Sequence, residues 1–286
     1  MEKMDRENVR ILIVGGLFLV TAFVWWPSAA STQCACLRIS FLDVGQGDAI
    51  YIETPDGYDM LVDAGVDSGV LRELGAEMGW RDRYIDLVVA THPDQDHIGG
   101  LPDVFDRYEV GTFLETTNVN NTPSATALAA AVKTEKSTHF LAEAGQVIEL
   151  GAHVYLQILS PTGDETNWES NNASIAMRIV YGDTAIMLTG DLPAEIENHL
   201  VELYGTQLKG DVLKLGHHGS KTSTSEAWLD AVAPRFAVVS AGLDNRYGHP
   251  HQEVMQRVFA RNIQTSHTGT DGTVTFYSDG QTIWRE

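Results

Sequence analysis

The chain has 286 residues, 43% hydrophobic and 20% charged, a composition that fits a folded globular protein and excludes a disordered or fibrous one. Its 39 acidic and 19 basic side chains leave a formal net charge of -20. This argues against a broad, sequence-independent grip on duplex nucleic acid, which needs a Lys/Arg surface, but not against a phosphate-bearing substrate held at a metal centre.

The N-terminus carries Lys3, Arg6 and Arg10, followed by an uncharged run from Ile11 to Trp26. That run is at the short end of the ~17–25 residues of a membrane span, and it also suits the apolar core of a secretory signal. Basic residues before it predict a cytoplasmic N-terminus and an exported remainder. Trp25 and Trp26 suit the outer membrane interface and favour an uncleaved anchor, whereas Ser28-Ala29-Ala30 offers a cleavage site and a secreted product. Residues 1–36 therefore read as a basic region plus a transmembrane or signal helix, and residues 37–286 as one catalytic domain. The expected location is membrane-anchored with the catalytic domain outside the cytoplasm, or secreted. The two cysteines, Cys34 and Cys36, are too close for an ordinary structural cross-link.

Residues 37–44 alternate as a strand and end in Gly45-Gln46-Gly47-Asp48; strands over 49–54 and 59–63 follow, joined by the turn Pro55-Asp56-Gly57. A helix is predicted over 68–78, capped near Gly79, and a buried strand over 85–90. Next come a metal-capable turn, a helix over 102–108, a strand over 109–114 and an Ala-rich helix over 122–136. Strands follow around 138–141, 147–150 and 153–160, then a polar loop over 161–170. A hairpin joins 175–181 to 184–189 through Gly182-Asp183. Helices over 193–204, 225–232 and 251–261 alternate with strands at 211–215, 236–240 and 264–266, and a strand at 273–277 follows. Strands in runs separated by single helices predict a mixed two-sheet core with helices outside.

The stretch Thr91-His92-Pro93-Asp94-Gln95-Asp96-His97 places four metal-capable side chains within six residues, just after the 85–90 strand. One His near one Asp would be a charged surface turn. Four ligand types followed by Ile98-Gly99-Gly100-Leu101 are hard to explain that way. Without thiolates the donors are nitrogen and oxygen, which suits Zn, Mn or Fe rather than a cysteine-based structural site. Two further strands end in candidate ligands, at Asp191 and at His217-His218. Each alone is a common turn residue; convergent strand ends would assemble them into one site.

The ordered set Leu61-Val62-Asp63-Ala64-Gly65, Thr91-His92-x-Asp94-x-Asp96-His97, Gly190-Asp191 and His217-His218-Gly219-Ser220 resembles the metallo-β-lactamase superfamily. Residues Phe41 to Ala49, Asn171-x-x-Ser174, Leu213-Lys214-x-Gly216-His217-His218-Gly219-Ser220 and Asn245-x-Tyr247-Gly248-His249-Pro250 narrow the resemblance to the hydrolase domain of ComEC-type DNA-uptake competence proteins. It covers about residues 37–280. It implies a four-layer αββα sandwich (α/β class) with two divalent metal ions, Zn or Mn.

By that resemblance His92 and Asp94 hold the first ion, Asp96 and His97 the second, and Asp191 bridges them. One of His217 or His218 completes the second site, with His217 the expected ligand. Asp63 orients ligands from behind. Asp94 stands where the superfamily usually has His, and the superfamily's further His before the bridging Asp has no match, with Asn171 near that point. Asp96 and Asp191 would orient a water nucleophile. His218 and His249 would bind phosphate oxygens or protonate the leaving group. Asn171, Ser174 and Ser220 are candidate substrate contacts, although a polar turn explains the first two equally well, and His249 before Pro250 can also be a helix cap. Asp43 and Asp48 stay open.

The expected function is a phosphodiesterase or nuclease, with a phosphodiester such as DNA as substrate and the membrane as partner of the N-terminal helix. The alternatives are hydrolysis of another bond (a choline-phosphate ester, a lactone, a β-lactam) and a non-catalytic metal- or nucleic-acid-binding module.

Overall fold

Strand-by-strand alternation of apolar side chains sorts this chain into layers. The computed structural model describes residues 10, 14–18, 35–79 and 82–286. Apart from Arg10 and 14–18, the expected anchor or signal lies outside them, and among the described residues no helix is long and apolar enough to cross a membrane. By its contacts the chain divides into 1–34 and 35–286; the second unit carries all elements named below.

Its first half opens with three antiparallel strands, β1 (Leu37–Phe41), β2 (Ile50–Glu53) and β3 (Asp59–Val62). Helix α1 (Val70–Glu77) then leads to β4 (Tyr84–Val89), which lies parallel to β3. Helices α2 (Gln95–Ile98) and α3 (Leu101–Arg107) lead to β5 (Glu109–Glu115), and α4 (Pro123–Thr134) leads to β6 (Thr138–Leu141), both parallel additions. Helical connections are what parallel neighbours require.

The second half repeats the scheme. Strands β7 (Val147–Glu149), β8 (Val154–Ser160), β9 (Ala176–Tyr181) and β10 (Thr184–Leu188) pair antiparallel. Strands β11 (Val212–Lys214), β12 (Phe236–Val239) and β13 (Gln264–His267) then add in parallel, reached through α5 (Ala194–Tyr204), α6 (Glu226–Val232) and α7 (Gln252–Ala260). After the short α8 (Thr268–Asp271), β14 (Val274–Ser278) and β15 (Ile283–Arg285) return to the first sheet beside β1. The sheets are eight- and seven-stranded.

Each inner strand faces two ways, because side chains alternate along a strand. Leu37, Ile39 and Phe41 of β1, Ile50 and Ile52 of β2, Met177 and Ile179 of β9 and Ile186 and Leu188 of β10 fill the core between the sheets. Tyr51, Leu61 and Val88 point the other way, onto Val70, Leu74, Leu101 and Val104 of α1 and α3. Met187, Leu213 and Val239 do the same against Leu200, Leu229, Val254 and Val258 of α5, α6 and α7. Three apolar layers between four structural layers make the αββα sandwich.

The expected elements form with shifted ends. Helix α4 starts as its sequence signals, with Thr122 Oγ1 accepting from Ala125 N and Pro123 in the first turn. Three features depart from expectation. The tail of the His92–His97 segment is a helix rather than a turn, with extended Asp94 at its N-cap. The polar loop closes in a 3₁₀ turn, Ser170–Ala173, and β15 had no strand signal strong enough to be read. Cys36 is disulfide-bonded, where the sequence reading expected no ordinary structural cross-link; Cys34 lies outside the described residues.

Candidate metal centre

The loops that follow β3, β4, β10, β11 and β12 all open on one rim, as strand ends do where parallel strands meet across two sheets. Asp63, the first residue past β3, has φ 59, a left-handed conformation that Asp tolerates better than most residues. It aims its carboxylate at the neighbouring strand end. Oδ1 accepts from Thr91 N at 2.8 Å, and Oδ2 accepts from Thr91 Oγ1 at 2.7 Å and lies 2.7 Å from His97 Nδ1. With Nδ1 so engaged, His97 turns Nε2 to within 3.2 Å of Asp191 Oδ1.

The Gly45–Asp48 turn packs directly on the metal-capable helix. Asp48 N donates to Asp96 O at 3.1 Å, and a Cβ on Gly47 would lie 2.0 Å from that same oxygen. Gly47, at φ 119, is the residue type this approach demands. The contact carries the Asp48 carboxylate into the centre, 3.3 Å from His218 Nδ1.

Asp191 follows β10, its backbone N–H donating to Ser174 Oγ at 3.2 Å. Past β11, His217 and His218 both take positive φ (49 and 55), so the chain curls tightly and presents two imidazoles in succession. His218 is wholly buried: Nδ1 donates to Ser240 O at 2.8 Å, and Nε2 lies 3.6 Å from Asp191 Oδ2 and 3.4 Å from Asp96 Oδ2. His217 stays 26% exposed, with Nε2 also 3.6 Å from Asp191 Oδ2 and Nδ1 3.4 Å from Asn171 Nδ2.

Lys214, the last residue of β11, has no exposed surface. Its ammonium pairs closely with Asp48 Oδ2, donates to Gly190 O at 3.4 Å, and lies 3.8 Å from Asp191 Oδ1.

Burial works against every charge here, and the neighbours decide the outcome. It pushes the Asp191 carboxyl up, but His218, His97 and Lys214 outweigh it and hold Asp191 well below the usual carboxylate range. Burial lowers His97, yet Asp191 and Asp63 raise it well above an ordinary histidine, and in the same way Asp191 brings His218 up to about 9. His92 goes the other way, to about 4, through burial and repulsion from His97. His249 falls to about 4 through burial and the imidazoles of His217, His218 and His251.

Among the buried atoms on this rim that have no hydrogen-bond partner among the described residues are Asp48 Oδ1, His92 Nε2, His97 Nε2, Asp191 Oδ1 and His218 Nε2. Buried polar atoms are rarely left so. Imidazoles fixed through Nδ1 with Nε2 left open have the arrangement of metal ligands. Ligand atoms of Asp48, His97, Asp191 and His218 all lie within 4.8 Å of one another. The donors are nitrogen and oxygen only, so this set fits a divalent cation.

The expected residues lie as follows. Asp94 borders the centre, its Oδ2 3.8 Å from His92 Nε2 and its Oδ1 accepting from Ser170 Oγ at 2.6 Å. Ser174, buried, faces the Asp191 backbone, and Ser220 is engaged with Thr222 Oγ1 at 2.9 Å. His249 does not cap α7, whose N-cap is His251; its ring lies 5.4 Å from that of His217. Asp48, left open by the sequence, stands in the centre, and Lys214 went unassigned. The available signal for Lys214 was a lysine inside an apolar strand, a position where lysine is almost never found unpaired.

Residues 42–242 match the model of the metallo-beta-lactamase superfamily. The chain belongs to this superfamily. Within it, the chain is 27% identical over 294 residues to "ComE operon protein 3" of Bacillus subtilis (strain 168), covering 95% of this chain and 36% of that protein. It is 31% identical over 265 residues to "Competence protein ComA" of Neisseria gonorrhoeae, covering 91% of this chain and 35% of the relative. The chain thus spans about a third of the length of these two relatives. Igni18, a metallo hydrolase from Ignicoccus hospitalis, superposes with a TM-score of 0.55 at 17% identity, covering 84% of this chain and 98% of that one. The protein is a metallo-β-lactamase-fold, metal-dependent hydrolase with ComEC-like relatives.

Proposed function

We propose that this hydrolase is a dinuclear phosphodiesterase that cleaves DNA outside the cytoplasm. The observation that carries the reading is the cluster of unpartnered buried nitrogen and oxygen atoms at the strand-end rim, where ligand atoms of Asp48, His97, Asp191 and His218 lie within 4.8 Å of one another. In this reading His92 and Asp94 hold one ion, Asp96 and His97 the other, and Asp191 lies between. The Ser240 bond and full burial favour His218 over His217 as the remaining ligand. Lys214 already engages Asp48, which makes Asp48 a support for the ligands rather than a ligand.

Two divalent ions supply, when bound, a more acidic water nucleophile and positive charge for the developing phosphoryl oxyanion. The protein supplies the rest. Asp96, part-exposed at the rim with Oδ2 3.4 Å from His218 Nε2, would accept the proton of the attacking water. Burial lowers the pKa of both His217 and His249, helped by His218 and Lys214 beside the first and by His217 and His218 beside the second. An anionic diester beside them favours their protonated forms, which suits them to bind a phosphate oxygen and protonate the leaving group. Asn171 Nδ2 fixes the His217 ring.

The competence name of the Neisseria relative supports DNA as substrate. The charge of -20 suits recognition at the metal centre better than a wide duplex-binding face. The basic residues before the apolar run support export, with the membrane as partner of that segment.

The full chain, stripped of metal and reloaded with Mn²⁺ or Zn²⁺, is the sample to assay, on bis-p-nitrophenyl phosphate and on single-stranded DNA. Both are expected to be cleaved. Asp96→Ala and Asp191→Ala should lose more than the ~10–100-fold typical of a change behind the ligands. Stoichiometric bound metal with no cleavage of either diester would move the assignment to another hydrolysable bond or to a binding module.

A further inference from the structure

On one flank of the centre the segment 242–250 is pinned by a single side chain. Asn245 Oδ1 accepts from Tyr247 N at 3.2 Å and His249 N at 2.9 Å, while Nδ2 donates to Gly242 O at 2.7 Å and His249 O at 2.6 Å. This built turn holds a large aromatic residue in solvent, with Tyr247 47% exposed. Its ring stacks on His249 with centroids 5.6 Å apart and planes 20° apart, and His249 in turn meets His217 edge-on. Exposed Arg246 places its guanidinium 4.9 Å from the Tyr247 centroid and donates to Tyr247 Oη at 2.7 Å. A cleft of ≈ 510 Å³ runs between this loop and the centre, its lining including Gln46, Asp96, Asp244, Arg246 and Tyr247.

Arg246 and His249 hold the exposed Tyr247 ring in place, and the hydrogen bonds of Asn245 hold the tyrosine's backbone beside Asp96 at the rim. In a chain of net charge -20, a guanidinium bonded to a phenol rather than to a carboxylate keeps its charge available for a phosphate. We propose that Tyr247 and Arg246 form a subsite for a single-stranded polynucleotide. Arg246 swings off the Tyr247 ring to meet the adjoining backbone phosphate, and a base flanking the scissile phosphate takes its place on that ring. A single strand is specified because the face of a paired, stacked base is covered, whereas a splayed base offers it freely. The proposal rests on the phosphodiesterase reading for its reacting group.

The test uses the full chain loaded with Mn²⁺ or Zn²⁺, with Tyr247→Ala, Tyr247→Phe and Arg246→Gln variants. The probes are bis-p-nitrophenyl phosphate, a labelled single-stranded DNA, its RNA counterpart and the matching duplex. Tyr247→Ala is expected to weaken binding of the single strands by roughly 5- to 150-fold, mostly in KM, and by far more than it affects the small diester. Tyr247→Phe keeps the stacking face and should restore most of the loss. Arg246→Gln should lower the salt dependence of binding by about one phosphate contact. The DNA and RNA arms distinguish the two sources of the same chemistry. Equal losses on the small diester and the oligonucleotide would mean a structural role and overturn the proposal, as would duplex binding as tight as single-strand binding. If the wild-type chain cleaves neither diester, the phosphodiesterase reading fails by itself. Anisotropy of the labelled strand then decides the subsite: binding that weakens in Tyr247→Ala supports it, and no binding overturns it.

Discussion

Two neighbouring places in this protein bury carboxylates, and they treat them in opposite ways. Glu197 of α5 is fully buried, with Oε1 accepting from Thr224 N at 2.7 Å and Oε2 from Ser225 N at 2.8 Å. Its oxygens are satisfied, yet burial prevails over those bonds and its pKa is pushed up to about 7. Asp191, just before that helix, is as buried, but His218, His97 and Lys214 keep it ionised while Oδ1 has no hydrogen-bond partner. A satisfied acid with a raised pKa stitches backbone together. An acid kept charged with an open atom is prepared for a ligand. The difference sets two kinds of buried carboxylate apart within one half of the fold, without appeal to any relative.

The comparison is broken most forcefully at Lys214. Lys214→Met removes the cation that pairs with Asp48 and faces Asp191, and leaves two buried carboxylates facing each other. Removing one partner of a buried pair costs about 3–5 kcal/mol, so the metal-free variant should melt well below the wild type. A divalent ion can replace the missing charge, so added Zn²⁺ or Mn²⁺ should raise its melting temperature more than it raises that of the wild type. Equal metal-free melting temperatures would show that Lys214 does not hold the acids of the centre.

A milder cut is Asp63→Asn. The amide keeps the shape but has one acceptor oxygen where the carboxylate has two: with that oxygen at the Oδ2 position its NH2 faces the Thr91 N–H donor, and flipped the NH2 faces Thr91 Oγ1 and His97 Nδ1–H. Either way the bonds that fix the His97 ring and its strand end are weakened. Metal affinity, followed by competition with a chelator, should fall about 10–100-fold with little change in fold. An unchanged affinity would remove Asp63 from the support of the centre.

Much of this was legible in sequence where information is local. The period-2 strands, the Thr122-Pro123 helix start and the His92–His97 cluster each lie within one stretch of chain. Asp63 was read as a support only through the family resemblance of Leu61-Val62-Asp63-Ala64-Gly65. Asp48 and Lys214 were not legible, because their pairing spans distant segments and depends on which strand ends share a rim. The proposed preference for His218 over His217 was hidden for another reason: it rests on two consecutive positive φ values and on Ser240, one strand over. The platform at Tyr247 was visible as a motif, but its exposure is a property of the folded turn.

The finest distinction falls on Glu197 itself. Its folded pKa, about 7, lies above the ordinary glutamate value of 4.5. The stability it contributes is therefore fully present below the unfolded pKa and is lost as pH rises from there through about 7. Glu197→Gln cannot ionise, so this part of the pH dependence should vanish. The variant should still be less stable at pH 5, by about 1–3 kcal/mol, because the amide nitrogen cannot accept from Ser225 N or Thr224 N. Melting temperatures of the metal-loaded wild type and variant between pH 5 and 8 give the measurement, with bound metal keeping the histidines of the centre from titrating. The two curves should converge as pH rises, because the wild type loses what the variant never had. Parallel curves would mean that Glu197 is ionised throughout, as Asp191 is, and that a buried acid's hydrogen bonds do not by themselves tell support from function in this fold.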